Sequence, residues 1–281
     1  MRIFSRRGYR FISLDDAMEM LQGHKPMQPY SMVLTFDDGY RNNITHALPI
    51  LRRYNAPATF FVPTGFLDNP RPFWWDRLDY ALQQCNVHGR KVKVGSFAMI
   101  LDSSSRPALQ ESYKRLRRIA KKQQMSDHDF VQDMDQLAVQ LEQESGRALS
   151  NIQKDDDWSA IMTWEQIEQY AGNDVTFGSH TVEHIRLGLV NAEIAFDQLV
   201  RSKQHIEDRT GKRCMSICCP NGSHSDETTA IAREYGYVCQ FTGEQGLNHM
   251  GDDLMMLKRI SLPVDMSGTE LVAKVACRGR V

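Results

Sequence analysis

Short apolar runs alternate with amphipathic stretches along most of this chain. Helical periodicity is found over residues 11–21, 45–54, 112–120, 130–144, 192–210 and 227–235. Runs with the length of buried strands lie at 32–36, 58–62, 174–177, 215–219, 237–242 and 257–262. Because strands that alternate with helices form parallel sheets with right-handed crossovers, this pattern predicts an α/β fold.

One long polar stretch, at about 67–160, interrupts the alternation. It is rich in Gln, Lys, Arg and Asp and contains two of the helical patterns. The whole chain has 281 residues, a length that a single α/β barrel domain commonly reaches. We therefore expect one domain over residues 1–281 with a helical insertion at about 67–160.

Two adjacent carboxylates, Asp37 and Asp38, end the first apolar run in the sequence T-F-D-D-G at 35–39. Neighbouring side chains at a strand end face different directions, so one aspartate can bind a cation while the other accepts a proton. Two like charges this close are costly unless a metal or a cationic side chain offsets them. Taken alone, the same residues also fit an ordinary surface turn.

A histidine pair, His180 and His184, follows the run at 174–177. The two residues are four apart, so a helical turn would present both on one face, where they can share a metal. Such a pair by itself is more often a solvated surface feature. Together with the aspartates it supplies two imidazoles and a carboxylate, which is typical of a catalytic zinc-type site with an open position.

A Pro-Asn-Gly turn at 220–222 follows the apolar run at 215–219. Its backbone N–H groups could face a developing oxyanion. An ordinary strand-to-loop turn fits these residues equally well.

In this order, the three motifs resemble the polysaccharide deacetylase family, also called the NodB-homology domain or carbohydrate esterase family four. Residues 35–39 match its T-F-D-D-G motif, residues 180–184 match H-[ST]-x-x-H, and residues 219–222 resemble a [YF]-P-x-G variant of the third motif. The resemblance runs from about Ser31 to about Val264. It implies an α/β fold, namely a distorted (β/α) barrel of the polysaccharide deacetylase type with a helical insertion.

The resemblance also implies an activity: a metal-dependent hydrolase that removes N-acetyl groups from acetylated amino sugars of a polysaccharide or glycan precursor. Asp37 is expected to act as the general base, and Pro220, Asn221 and Gly222 are expected to contact the acetylated glycan. A divalent metal is implied, with Zn²⁺ the expected ion. Its expected ligands are Asp38, His180 and His184.

Two positions depart from the family pattern. Many members carry an arginine two residues before the third-motif proline, where it pairs with the catalytic aspartate, and this chain has Cys218 there. Many also end with a Leu-x-His whose imidazole is the general acid, and the corresponding residue here is Arg259. We therefore predict that Arg259 orients Asp37, and that the acid comes from elsewhere, with His249 the nearest candidate by sequence.

Three alternatives stay open on the sequence alone. O-deacetylation needs the same parts as N-deacetylation. An allantoinase-like amidase on the same fold would keep both aspartates and both histidines. A catalytically inactive glycan-binding module fits the loss of the acid histidine and predicts no metal-dependent turnover.

Composition limits the partners and the location. The net charge is −1, from 34 basic and 35 acidic residues. Such a chain has no overall electrostatic field that would attract nucleic acid or a membrane surface. Neither an apolar run of about 18 residues nor the apolar core of a signal peptide is seen, so we expect a cytoplasmic protein, with allowance for a truncated start. The six cysteines include no Cys-x-x-Cys pair and are expected to be reduced thiols. The sequence gives no indication of the oligomeric state.

Overall fold

The computed structural model describes residues 1–94, 97–122, 127–172, 174–262 and 266–278. The chain divides into two compact units, one formed by Met1–Asn69 with Met162–Val281 and the other by Pro70–Ile161. The expected end of the family resemblance, Val264, and the side chain of Cys277 lie outside the described residues.

Helices account for most of the regular structure in the described residues. The α-helices are α1 Arg2–Arg6, α2 Leu14–Leu21, α3 Leu48–Arg53, α4 Thr64–Asp68, α5 Trp74–Gln84, α6 Arg106–Lys122, α7 Asp127–Ser145, α8 Trp164–Tyr170, α9 Ala192–Thr210, α10 Asp226–Glu234 and α11 Gly268–Arg278. The strands are β1 Arg10–Phe11, β2 Ser31–Met32, β3 Leu34–Phe36, β4 Ala58–Val62, β5 Lys91–Val94, β6 Phe97–Ile100, β7 Val175–Ser179, β8 Ser216–Cys218, β9 Cys239–Gln245 and β10 Leu257–Arg259.

Six strands of the first unit form one sheet in the order β10-β9-β8-β7-β4-β3, and every neighbouring pair is parallel. Helices connect these strands, as the alternating pattern predicts. The α/β class and the distorted, incomplete barrel type are thereby confirmed, with β3 and β10 as the end strands. Because parallel strands point the same way, the residues that follow β3, β7 and β8 emerge at one edge of the sheet. These are the residues of the three motifs.

In this sheet β4 lies between β3 and β7, and its five residues are all buried. Phe60, Phe61 and Val62 have no exposed surface, which is typical of a parallel strand covered on both faces. Burying a phenylalanine or valine side chain stabilises a fold by about 1.5–3 kcal/mol. The strand between β3 and β7, which precede the two aspartates and the two histidines, is therefore among the most tightly packed parts of the unit.

The first predicted strand, 32–36, is interrupted at Val33, and its first part joins a separate small sheet. Within that sheet β2 pairs with β1 in parallel, with Phe11 opposite Met32. Phe11 therefore belongs to a strand, and the helix predicted from residue 11 begins only at Leu14. Ser13 caps this helix, since its hydroxyl accepts the backbone N–H of Asp16 at 3.0 Å.

The second unit has its own apolar core, to which α5, α6, α7 and the antiparallel β5–β6 pair contribute. Arg77 of α5 donates two hydrogen bonds to Glu142 of α7, at 3.0 and 2.6 Å, and so links these two helices. A unit with its own core is organised as a compact helical module. The β5–β6 hairpin differs from the purely helical insertion that the periodicity of this stretch predicts.

Two further expectations concern cysteines and membranes. The five cysteines whose side chains are described, Cys85, Cys214, Cys218, Cys219 and Cys239, are all free thiols. Within the described ranges, no helix combines the length and the apolar character that crossing a bilayer requires.

Candidate active site

The two aspartates follow β3 directly and turn away from each other. Asp38 has a left-handed φ of 71°, and Gly39 follows with a φ of 67°. This reversal directs the Asp38 carboxylate to the histidines and leaves the Asp37 carboxylate against Arg259. The pair therefore has two separate sets of partners, as two different roles require.

Asp38, His180 and His184 converge on one point. Asp38 Oδ1 lies 3.3 Å from Nε2 of His180 and 3.3 Å from Nε2 of His184. The three candidate ligand atoms all lie within 4.8 Å of one another. His180 directly follows β7 and its side chain is only 2% exposed, so the strand fixes its position.

The histidines do not lie on a helical turn, and that expectation is wrong. Residues 181–184 form a bent loop in which Thr181 and His184 both have left-handed φ values, of 66° and 54°. A helical turn needs a negative φ at each position. The loop nevertheless brings the two rings together, with their centroids 4.8 Å apart.

The hydrogen bonding of His180 suits a metal ligand. Its Nδ1 lies 2.6 Å from the carbonyl oxygen of Cys218, and this contact orients the ring with Nε2 toward Asp38. Burial opposes the charged form of Asp38, but its hydrogen bonds to His180 and His184 outweigh this and hold the pKa of Asp38 well below its usual range. Two imidazole nitrogens and one ionised carboxylate fit a zinc-class ion.

Asp37 is held by a bidentate pair with Arg259, the last residue of β10. Nη1 of Arg259 donates to Oδ1 and Nη2 donates to Oδ2, each at 2.8 Å. Burial alone would raise the pKa of Asp37, but the hydrogen bonds from Arg259 and the charges of His180 and Arg259 outweigh it and lower that pKa. Arg259 also donates to the Thr35 hydroxyl at 3.3 Å, which ties it to β3.

Cys218 lies beside this pair, at the position where many family members carry an arginine. Its Sγ is 3.5 Å from Asp37 Oδ2 and accepts a hydrogen bond from Arg259 Nη2 at 3.0 Å. Burial raises the pKa of the thiol well above its ordinary value, so it stays protonated. Asp37, His180 and Cys218 also lie close enough to hold an ion. The Arg259 guanidinium and the protonated thiol disfavour that set, which leaves Asp38, His180 and His184 as the better candidates for metal ligands.

The third motif forms a short 3-10 turn, Pro220–Gly222, just after β8. Pro220 is buried and Asn221 is exposed, and Asn221 has a left-handed φ of 55°. Gly222 packs against Gly243 of β9. The turn therefore lies at the same sheet edge as the two other motifs.

His249 lies in the segment between β9 and β10, and its side chain is 73% exposed. Its Nδ1 is 3.9 Å from a carboxylate oxygen of Asp252. Across the described part of the chain, the side chains in contact with Asp37 and Asp38 are Arg259, Cys218, His180 and His184. The structure does not bring His249 to the aspartate pair.

One residue near the site was not found from the sequence. Gln198 of α9 accepts two backbone N–H groups of the histidine loop. A sequence signal exists, because Gln198 occupies the inward stripe of α9 with Ala195, Leu199 and Ile206, where an apolar residue is expected.

Two solved structures have folds similar to that of this chain. The deacetylase PplD of Streptococcus pyogenes, solved in complex with acetate, is 18% identical, with a TM-score of 0.61 over 98% of this chain and 83% of that one. The deacetylase domain of BpsB from Bordetella bronchiseptica is 20% identical, with a TM-score of 0.56 over 92% of this chain and 80% of that one. These two likenesses show the fold.

Among curated proteins, the poly-beta-1,6-N-acetyl-D-glucosamine N-deacetylase of Escherichia coli (strain K12) is 36% identical over 63 residues, which are 22% of this chain and 9% of that protein. The chain spans less than half the length of the first curated relatives that it matches. The profile of the polysaccharide deacetylase family matches residues 24–239. On this match, which contains all three motifs, the chain belongs to the polysaccharide deacetylase family.

Proposed function

We propose that this protein is a metal-dependent hydrolase that removes N-acetyl groups from acetylated amino sugars of a polysaccharide or glycan precursor. The proposal rests on one observation, that the two adjacent aspartates have different partners. Asp38 faces two histidines, and Asp37 faces Arg259. Family membership and the printed activity of the E. coli relative support the substrate class.

Asp38, His180 and His184 are the proposed ligands of a divalent ion, with Zn²⁺ the best match to this donor set. An ion bound there would lower the pKa of a water molecule and polarise an acyl oxygen. The ordered Nδ1 contact of His180 with the Cys218 carbonyl supports this role, because it keeps the ring oriented before any ligand arrives.

Asp37 is the proposed general base. Its lowered pKa keeps the carboxylate ionised around neutral pH, so it is free to take a proton from the attacking water. Oδ1 accepts one hydrogen bond from Arg259 and retains a second lone pair for that proton, whereas Oδ2 accepts both Arg259 and the Cys218 thiol. Arg259 is the proposed positioning residue, since its fork fixes the plane of the carboxylate.

The turn at 220–222 is the proposed contact for the acetylated sugar. Its exposed Asn221 and its location after β8, the neighbour of the histidine strand β7, support this role. The amine that leaves also needs a proton. His249 is the donor predicted from the sequence, but its exposure and its contact with Asp252 do not support that role.

Acetate release from a panel of N-acetylated and O-acetylated saccharides tests the proposal. The protein is stripped with a chelator, assayed, and assayed again after Zn²⁺ is restored, with Asp37→Asn as the inactive control. We expect acetate from N-acetylglucosamine oligomers only after reconstitution. Release from acetyl esters alone would replace the proposal with O-deacetylation, and no release from any saccharide by the zinc-loaded protein would overturn it.

A further inference from the structure

The loop that joins His180 to His184 has an unfavourable backbone. Thr181 and His184 both have left-handed φ values, of 66° and 54°, and neither is glycine. Thr181 is β-branched, and such residues rarely adopt this conformation. Residues in sparsely populated conformations persist only when their surroundings impose them. The structure must therefore contain contacts that hold this loop in place.

Gln198 supplies such a contact from the neighbouring helix. Its Oε1 accepts the backbone N–H of Val182 at 3.1 Å and the backbone N–H of Glu183 at 2.8 Å. These are the two residues between the left-handed Thr181 and His184. One side-chain oxygen thus binds the middle of the loop at two consecutive amides.

The opposite side of the loop is held by backbone groups of α4. The N–H of Thr64 donates to the carbonyl oxygen of Thr181 at 3.1 Å, and the N–H of Gly65 donates to that of Val182 at 2.9 Å. The loop therefore lies between α4 and Gln198. Backbone N–H groups of α4 donate to its carbonyl oxygens, and the side-chain oxygen of Gln198 accepts its backbone N–H groups. Only the Gln198 half of this arrangement can be removed by a side-chain substitution.

Gln198 is itself rigidly placed. It is 7% exposed and belongs to the buried stripe of α9, a 19-residue helix capped by Asn191 and Gly211. A buried side-chain amide is costly unless its polar atoms are hydrogen-bonded, so a glutamine at this position is matched to the loop that it binds. Because α9 is long and capped at both ends, it gives the loop a firm support.

We propose that Gln198 is a positioning residue of the metal site: by binding the amides of Val182 and Glu183, it fixes His184 in the geometry that shares an ion with Asp38 and His180. This inference rests on the proposed metal site. Gln198 acts through the loop and does not itself reach the ion. Outer residues of this kind typically change metal affinity by about 10–100-fold when they are replaced.

Co²⁺ binding to the 281-residue chain tests the inference without any need for substrate. Gln198→Met keeps the length of the side chain but removes the acceptor. We expect its dissociation constant for Co²⁺ to rise at least about tenfold, with a weaker visible absorption band as His184 is lost from the ligand set. Gln204→Met is the matched control, because Gln204 lies on the exposed face of the same helix, and it should bind Co²⁺ like the wild type.

Gln198→Glu is the rescue variant, because it restores an accepting oxygen at the same place. We expect its affinity and its absorption band to return close to the wild-type values. If Gln198→Met does not fold, Gln198→Asn takes its place, since it keeps the amide but withdraws the acceptor by one methylene group, and the same loss is expected. A wild-type affinity and band in the folded Gln198→Met or Gln198→Asn variant would overturn the inference, as would an equal loss in Gln198→Glu.

The Co²⁺ test of Gln198 and the acetate-release test of the proposed deacetylation can give different outcomes. A wild-type protein that binds one Co²⁺ but releases no acetate would overturn the proposed function, and the loss of affinity in the Gln198 variants would still support the positioning role. A wild-type protein that binds no ion would overturn the metal site and the role of Gln198 together.

Discussion

Arg259 donates two parallel hydrogen bonds of 2.8 Å to Asp37, although the two residues are 222 positions apart in the chain. They belong to opposite ends of the sheet, since Asp37 follows β3 and Arg259 ends β10. The incomplete barrel therefore curls far enough for its two end strands to meet through a side-chain ion pair. This closure couples the curvature of the sheet to the orientation of the proposed base.

Removal of this arginine should shift the pH dependence of turnover. In Arg259→Met the burial of Asp37 is no longer offset by the guanidinium, so the pKa of Asp37 should rise from its lowered value. A base with a raised pKa keeps its proton to higher pH, and the acid limb of the pH–rate profile should move to higher pH. The measurement is kcat/KM against pH, with metal affinity determined in parallel and expected to change little.

Arg233→Met is the matched control for this variant, because Arg233 is 60% exposed and pairs with Asp253. It removes the same charge without contact to Asp37, and its acid limb should coincide with that of the wild type. An acid limb that stays in place in Arg259→Met would remove the proposed role of the ion pair.

Asp37→Asn should separate the base from the ligands. The amide keeps the shape of the side chain but cannot take up the proton, so we expect turnover to fall by about 10²–10⁴-fold, the usual contribution of general base catalysis. Bound metal should remain at one equivalent, because the proposed ligand is the neighbouring Asp38. Metal content by elemental analysis checks this, and loss of the ion from Asp37→Asn would mean that the roles of the two aspartates are reversed.

His184→Ala should abolish stoichiometric metal binding without unfolding the protein. One of three ligand side chains is lost, and the remaining pair, Asp38 and His180, binds a zinc-class ion far more weakly. Isothermal titration with Zn²⁺ measures this, with circular dichroism to check the fold. His24→Ala is the control, since its side chain is 62% exposed and contacts Glu19. Binding of one full equivalent of Zn²⁺ by His184→Ala would contradict the assignment of His184 as a ligand.

Signals that are local in the chain were sufficient to predict several elements. The helix predicted over 192–210 is α9 with the same bounds, because Asn191 caps its start and Gly211 takes the left-handed conformation at its end. The convergence of the motifs was also predictable. They follow strands of one parallel sheet, and such strand ends share an edge.

Other features depend on partners that are distant in sequence, and these were missed. The interruption at Val33 arises because Met32 pairs with Phe11, and nothing in the run 32–36 indicates that pairing. The conformation of the histidine loop was predicted wrongly because a spacing of four fits a helical turn and a bent loop alike. The loop is held by contacts with Gln198, with the backbone of α4 and with the Ser179 hydroxyl, which accepts the N–H of Thr181. The extent of the insertion and the catalytic role of each site residue stay predictions.

His249→Ala tests the predicted proton donor. A general acid contributes about 10²–10⁴-fold to the rate, and its removal would also change the alkaline limb of the pH–rate profile. The side chain is 73% exposed and its ring contact is with Asp252, so we expect only a small change in kcat. A loss of about 10²-fold or more in kcat, with the metal still bound, would restore His249 as the acid.

The third motif ends in a glycine that the fold requires, and a pair of glycine variants tests this requirement. At Gly222 the φ is +69°, and an added Cβ would collide with the backbone N and Cα of Gly243, which cannot move aside as a flexible side chain would. Gly222→Ala should therefore lower the free energy of unfolding by about 3 kcal/mol or more, from overpacking and left-handed strain together.

Gly211 separates these two causes. It has a similar φ of +63°, but an added Cβ there would meet open space, so Gly211→Ala should cost only the strain, about 1–2 kcal/mol. Urea unfolding of both variants measures the difference. Equal losses would mean that the Gly222–Gly243 approach is not tight in solution. A larger loss in Gly222→Ala would show that close packing against β9 holds the proposed substrate turn in place.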